Sequence, residues 1–238
     1  MRQIKVKGIV IKEIPYKDND KIITILTDSI GKISCMAKGA KKNNSPILAC
    51  SQYLVYSEFI LYKSNNFYYI NSAEIISTFY NFRVNFEKLE EAFELTKLLN
   101  IVVSENEDTS DILNLFLNTI YLLDKNEKDK KLVKCIFKLK LFCLIGFSPN
   151  TYKCNSCGQA FLAENKIYYD YVSNAFICSN CYLIENKSRY IDIKHSTLLA
   201  IKFVILSNIK KVFSFEITDI NNFEIFVNTY QDVLLNDI

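Results

Sequence analysis

Two Cys-x-x-Cys pairs constrain this chain more than any other feature. They are Cys154-Asn155-Ser156-Cys157 and Cys178-Ser179-Asn180-Cys181, with twenty residues between Cys157 and Cys178. That spacing lets two short knuckles fold back on each other and present four thiolates as a tetrahedron, the geometry Zn²⁺ accepts. Gly158 follows the first pair directly, where a knuckle needs a residue free to take a positive φ. Between the pairs, Ile167–Tyr171 and Ala175–Ile177 read as two strands of a small hairpin turning at Ser173-Asn174. Four thiolates fill a coordination shell, whereas a catalytic zinc keeps an open position. The expectation is therefore one structural Zn²⁺ per chain on Cys154, Cys157, Cys178 and Cys181. A redox dithiol pair and a ribbon that has lost its metal are the alternatives.

The chain has 238 residues, half of them hydrophobic, enough for one large or two modest domains. The other four cysteines, Cys35, Cys50, Cys135 and Cys143, stand in apolar surroundings without regular spacing. They read as small buried hydrophobes of a reduced, cytoplasmic protein. No uncharged apolar run of about 18 residues suggests a membrane span. The first residues alternate apolar and charged side chains, unlike a signal peptide.

Net charge is +3, but residues 1–80 carry eleven Lys and Arg against six Asp and Glu, and the rest of the chain is slightly acidic. The basic excess lies in the N-terminal third. Only three arginines occur, Arg2, Arg83 and Arg189, in a chain rich in Lys, Asn and Ile.

Residues 3–14 alternate, with Ile4, Val6, Gly8, Val10 and Ile14 on one face and Lys5 and Lys7 on the other. This predicts a half-buried strand with a bulge or tight bend at Gly8, ended by Pro15. Residues 21–27 form a second, β-branched strand after a polar loop. A turn with Gly31 in the left-handed region leads to a third strand over 32–38. The basic loop Gly39-Ala40-Lys41-Lys42 follows, then strands over 53–62 and 67–77 joined across Ser64-Asn65-Asn66. Five strands in about 80 residues fit a small closed barrel, and the OB-fold is the commonest of that size to bind single-stranded nucleic acid. An SH3-like barrel is the runner-up.

Beyond Tyr80 apolar residues recur every three or four positions, predicting a helix to about Val102 with an acidic outer face. Asp108–Asp111 caps a second helix over 112–123, a third covers 132–146, Ser196 caps a fourth over 197–206, and a last spans 220–235. The predicted architecture is α+β and multidomain: a five-stranded OB-fold β-barrel over 1–80, a helical domain over 81–149 and 185–238, and an inserted four-cysteine zinc module over 150–184.

Little in the sequence supports catalysis. His195 is the single histidine, with no nucleophile placed near it, and the five glycines form no phosphate cradle. Asp18 and Asp20 read better as a solvated turn than as a Mg²⁺ site. The basic elements carry more. Lys5 and Lys7 lie on the polar face of the first strand, and Lys38, Lys41 and Lys42 surround Gly39. Ammonium groups spaced along a groove suit phosphates, and Tyr53, Tyr56, Tyr62, Tyr68 and Tyr69 are candidates for base stacking. A merely solvated lysine face is the competing explanation.

The order of features resembles one family. Gly8-Ile9-Val10, the loop 16–21, the turn 26–32 with Gly31-Lys32, Ala37-Lys38-Gly39-Ala40-Lys41-Lys42, Leu144–Pro149 and the two Cys-x-x-Cys pairs together look like the bacterial RecO recombination mediators. The resemblance covers nearly the whole chain. It implies a non-enzymatic role in recombinational DNA repair, with binding of single- and double-stranded DNA and annealing of complementary strands. It implies partnership with RecR in loading RecA onto DNA coated by single-strand-binding protein (SSB), and contact with the acidic tail of SSB through a helical-domain pocket. Lys138 and Lys140 on the third helix are candidates for that pocket. A nucleoid-associated cytoplasmic location follows from the same resemblance. An RNA-binding or translation-associated zinc-ribbon protein is the alternative, and a nuclease or ligase fragment a third class.

Overall fold

The computed structural model describes residues 3–64, 67–162, 166–182, 184–217 and 219–236. The chain separates into two compact units, residues 1–126 and 127–238. The expected division was fourfold; here the helices up to residue 125 belong to the same unit as the barrel.

In the first unit, β1 (Gln3–Tyr16), β2 (Asp20–Thr27), β3 (Lys32–Ala37), β4 (Tyr56–Ser64) and β5 (Phe67–Ser77) close a barrel in the order β1-β2-β3-β5-β4. β3 and β5 pair parallel through Cys35–Tyr68 and Met36–Tyr69, and all other joins are antiparallel. A meander would join every neighbour antiparallel, so this closure is that of the OB-fold. Val6, Val10, Ile23, Ile25, Ile33, Cys35, Phe59 and Leu61 fill the interior. The expected turn residues Asn65 and Asn66 lie outside the described residues.

β1 serves two partners. Residues 3–9 pair with β4 and residues 8–16 with β2, and Gly8 belongs to both ladders. A Cβ on Gly8 would stand 2.5 Å from Ile25 Cγ2 and 2.8 Å from the Leu26 carbonyl, so its role is close approach. The register irregularity expected at Gly8 occurs instead between Val10 and Lys12. That bulge inserts a residue and reverses the alternation: Ile11 is buried and Ile14, expected inward, is exposed. Nor does Pro15 end the strand. It pairs with Lys21 where β4 no longer flanks β1, so its missing N–H faces a free edge. β4 begins three residues later than expected because Leu54 takes φ 59°. Tyr53 turns away to stack on Phe93 and hydrogen-bond Thr96.

The helices of this unit are α1 (Asn81–Val84), α2 (Phe86–Val102) and α3 (Ser110–Lys125). The single helix expected over 82–102 breaks at extended Asn85, whose side chain accepts from Lys88 N at 3.1 Å and starts α2. Gly31 is left-handed, as its turn requires (φ 73°), and packs against Ser104. Lys32 N donates to Ser104 O at 3.0 Å, and Thr109 Oγ1 donates to Thr27 O at 2.7 Å.

The second unit holds α4 (Lys130–Leu144), β6 (Ile167–Asp170), β7 (Ala175–Cys178), β8 (Tyr190–Ile193), α5 (His195–Leu206) and α6 (Ile220–Asn236). Asp129 caps α4 by accepting from Leu132 N, and left-handed Gly146 follows it. The expected hairpin between the cysteine pairs forms, turning at left-handed Asn174. β8 adds an unforeseen third strand against β6. Ser196 lies inside α5 and does not cap it. The helix starts after Lys194, whose backbone N–H is held by Asn222. Tyr169, Phe176, Phe226 and Tyr230 form the aromatic core beneath the sheet.

Candidate nucleic-acid interface and metal centre

The first knuckle is closed by Gly158 N donating to Cys154 O at 2.9 Å, with Gly158 at φ 73°. The second is closed by Cys181 N donating to Cys178 O at 3.1 Å. Asn155 N donates to Phe176 O at 2.9 Å and fastens the first knuckle to β7. Together these bonds bring all four Sγ atoms within 4.8 Å of one another, with Cys157 and Cys178 at 3.8 Å. Four sulfurs about 2.3 Å from a central ion stand roughly 3.8 Å apart along a tetrahedron's edges, so the donor set fits a tetrahedral thiophilic metal. Burial works against ionisation of Cys154, but the N–H groups of Cys157, Cys178 and Ser156 outweigh it and bring the thiol down to about 6. Burial and the neighbouring thiols push Cys181 up to about 12. One sulfur is thus pre-organised as a thiolate by backbone donors, in the manner of a metal ligand.

On the barrel, Lys17, Asp18, Asn19, Asp20, Lys38, Gly39 and Lys42 line an open cleft of about 520 Å³. Its two walls are the β1–β2 turn and the loop after β3. Gly39, left-handed at φ 69°, donates its N–H to Asp20 Oδ1 at 2.7 Å, and Lys41 N donates to Asn19 O at 2.9 Å. These bonds fix the loop so that Lys38, Lys41 and Lys42 stand exposed together. Asp20 is therefore a loop fastener. Lys5 and Lys7 are exposed on the barrel's outer face, where Lys5 Nζ pairs with Glu58 Oε1 at 2.7 Å, an acceptor that a phosphate would have to replace.

Sequence reasoning missed Lys17, which reaches the cleft through a left-handed backbone (φ 52°) across the turn. Of the five tyrosines expected to offer faces, Tyr53 and Tyr68 are buried. Tyr62 and Tyr69 instead stack on each other, centroids 5.2 Å apart, with Lys38 Nζ 4.8 Å above the Tyr69 ring. Lys138 and Lys140 do not form a surface pocket. Both are buried on α4: Lys138 donates to Asn228 Oδ1, and Lys140 donates to the carbonyls of Val204, Ile205 and Ser207. Those carbonyls end α5 without intrahelical donors, and a lysine supplies three.

The fold and sites define an OB-barrel protein whose helical second unit carries a four-cysteine ribbon. Among the described residues, no helix is long and apolar enough to cross a membrane. Residues 1–79 match the family model described as Recombination protein O N terminal, and residues 83–222 match Recombination protein O C terminal. The chain is 34% identical over 219 residues to the DNA repair protein RecO of Acetivibrio thermocellus, covering 92% of this chain and 86% of that protein. It is 32% identical over 190 residues to the DNA repair protein RecO of Alkaliphilus metalliredigens, covering 80% of this chain and 76% of that protein. It is 28% identical to that of Clostridium perfringens over 226 residues, 95% of this chain and 89% of that protein. The chain belongs to the RecO family of DNA repair proteins.

Proposed function

We propose that this protein is a non-catalytic mediator of recombinational repair that binds single- and double-stranded DNA through its barrel, anneals complementary strands, and acts with RecR to load RecA onto SSB-coated DNA. The observation that carries the reading is the cleft in which Lys17, Lys38 and Lys42 converge on an OB barrel of a RecO-family chain. Annealing needs phosphates of two strands neutralised while bases remain free to pair. Mobile ammonium groups at an open cleft suit that better than a deep pocket that reads base edges. Binding is then sequence-independent and falls steeply as salt rises. Contact with the SSB tail belongs to this reading, at a site other than buried Lys138 and Lys140.

Cys154, Cys157, Cys178 and Cys181 would hold Zn²⁺, which supplies a fourfold crosslink between the two knuckles and no reaction chemistry. The test is an annealing assay on SSB-coated complementary strands, with and without RecR. Acceleration by the protein, increased or redirected by RecR, supports the reading; strands that pair no faster than they do uncatalysed refute it.

A further inference from the structure

The strand registers place one residue from each strand in a single row around the outside of the barrel. Tyr62 pairs with Tyr69, Tyr69 with Met36, Met36 with Ile22, and Ile22 with Ile14. Residues directly opposed in a sheet point to the same side, and none of these five belongs to the barrel interior. The row is apolar or aromatic throughout and wholly or partly solvent-exposed, with Ile14 at 45%. An outward hydrophobic row crossing five strands is not needed to close a barrel whose core is already filled by the alternate residues.

We infer that this row is a stacking platform for unpaired bases, with Tyr62 and Tyr69 as its principal faces, and that it runs directly out of the lysine cleft. Lys38 joins the two: its ammonium lies over the Tyr69 ring while its side chain lines the cleft. A base arriving over Tyr69 takes the place of that ammonium, which is then released toward the adjoining phosphate. The lysine cleft at one end of the strip and the aromatic pair within it are complementary to a strand that offers phosphates on one edge and π-faces on the other. Four strand spacings of about 4.8 Å give an arc of roughly 19 Å, enough for only a few nucleotides, so most of a bound strand stays free to pair.

The inference rests on the proposed DNA binding but separates from it by experiment. Binding of a single-stranded 30-mer, the same strand made abasic, and a duplex is measured by anisotropy over a range of salt. The base-bearing strand is expected to bind about tenfold more tightly than the abasic one. That ratio should persist as salt rises, because stacking releases no counterions. Tyr62→Ala/Tyr69→Ala should erase the ratio and leave duplex affinity unchanged, while Tyr62→Phe/Tyr69→Phe should restore it. The wild-type protein gives a check that needs no variant: the chain has no tryptophan, so its tyrosine emission should be quenched by the base-bearing strand and not by the abasic one. Equal affinity for both strands with no quenching overturns the platform while leaving DNA binding intact. Absence of binding to all three ligands overturns the DNA reading itself, and the platform with it.

Discussion

Gly31 lies so close to Ser104 that no Cβ fits between them. The glycine occupies the β2–β3 turn of the barrel, and Ser104 follows α2, so two segments more than seventy residues apart are joined backbone to backbone. Lys32 N donates to Ser104 O, Asn106 N to Ile30 O, and Thr109 N to Asp28 O, which continues the join as a short line of bonds. The barrel and the helices up to α3 are held as one unit by contacts that use main-chain atoms.

A comparison of two glycines tests that join. Gly31 and Gly39 are both left-handed, at φ 73° and 69°, so any L side chain strains either one. A Cβ at Gly39 meets nothing nearer than Lys42 Cδ at 3.9 Å, whereas one at Gly31 runs into the Ser104 carbonyl. Gly39→Ala should therefore cost about 1 kcal/mol, the backbone strain alone. Gly31→Ala should cost about 3 kcal/mol or more, since the helical segment must also move. Urea denaturation of both variants checks the ranking, and equal costs would show that the Ser104 contact yields freely.

Asp170 should contribute to the acid sensitivity of the second unit, beside the proton-driven release of metal from the four cysteines. Burial pushes its carboxyl up, but Arg189, the Ser173 hydroxyl and the N–H groups of Val172 and Ser173 outweigh burial and hold it below the usual carboxylate range. Because the folded value is depressed, the stabilisation is fully present above the unfolded value near 3.9 and is lost as pH falls through the lower, folded one. Asp170→Asn should lower the melting temperature at pH 7 and reduce the difference between pH 7 and pH 3 relative to wild type. Thermal melts at the two pH values measure this, and an unchanged acid limb in the variant would assign the sensitivity elsewhere.

Lys140 makes a sharper case because it resembles a surface lysine only in sequence. Its three donors reach the carbonyls of Val204, Ile205 and Ser207 at 3.1, 3.2 and 2.6 Å. Lys140→Met keeps the length of the side chain and removes all three donors, leaving the end of α5 with unsatisfied acceptors. The expected loss is about 1–3 kcal/mol of stability. Binding to DNA and to SSB should not change once the variant is folded. A loss of SSB binding at wild-type stability would return Lys140 to a recognition role.

What the sequence made legible, and what it did not, follows from the range of each interaction. The cysteine pairs, the left-handed glycine at 31 and the five strands are local patterns, each imposed within a few residues. The inward assignment of Ile14 failed because a bulge at Ile11 exchanges the two faces, and the strand's own alternation does not reveal where an extra residue is inserted. Tyr53 was lost as a stacking face because Phe93 and Thr96, forty residues on, claim its ring and hydroxyl. β8 escaped because Tyr190–Ile193 is a strand only by virtue of β6 beside it. In the candidate site, Lys38, Lys41 and Lys42 follow from one loop. Lys17 and the Tyr62–Tyr69 pair require the registers that bring separate strands together.

The two halves of the proposed function should respond to mutation in opposite ways. Lys38→Glu/Lys41→Glu/Lys42→Glu reverses three exposed charges on a loop whose main-chain bonds to Asp20 and Asn19 remain. Affinity for single-stranded DNA should fall at least tenfold, and the slope of log affinity against log salt should shrink by about 2, near 0.7 for each lost phosphate contact. Melting temperature and metal content should stay at wild-type values. Cys178→Ala removes the sulfur that stands 3.8 Å from Cys157, on a residue whose backbone N–H donates to Cys154 Sγ. It should abolish stoichiometric zinc, read by elemental analysis, and destabilise the second unit by several kcal/mol, because metal binding there is folding free energy. Barrel-based DNA affinity, measured below the variant's melting transition, should hold within about threefold, since the lysine cleft and the ribbon belong to separately compact units. The reverse pattern, with DNA binding lost on removal of Cys178 and retained by the triple lysine variant, would move the nucleic-acid site from the barrel to the cysteine ribbon.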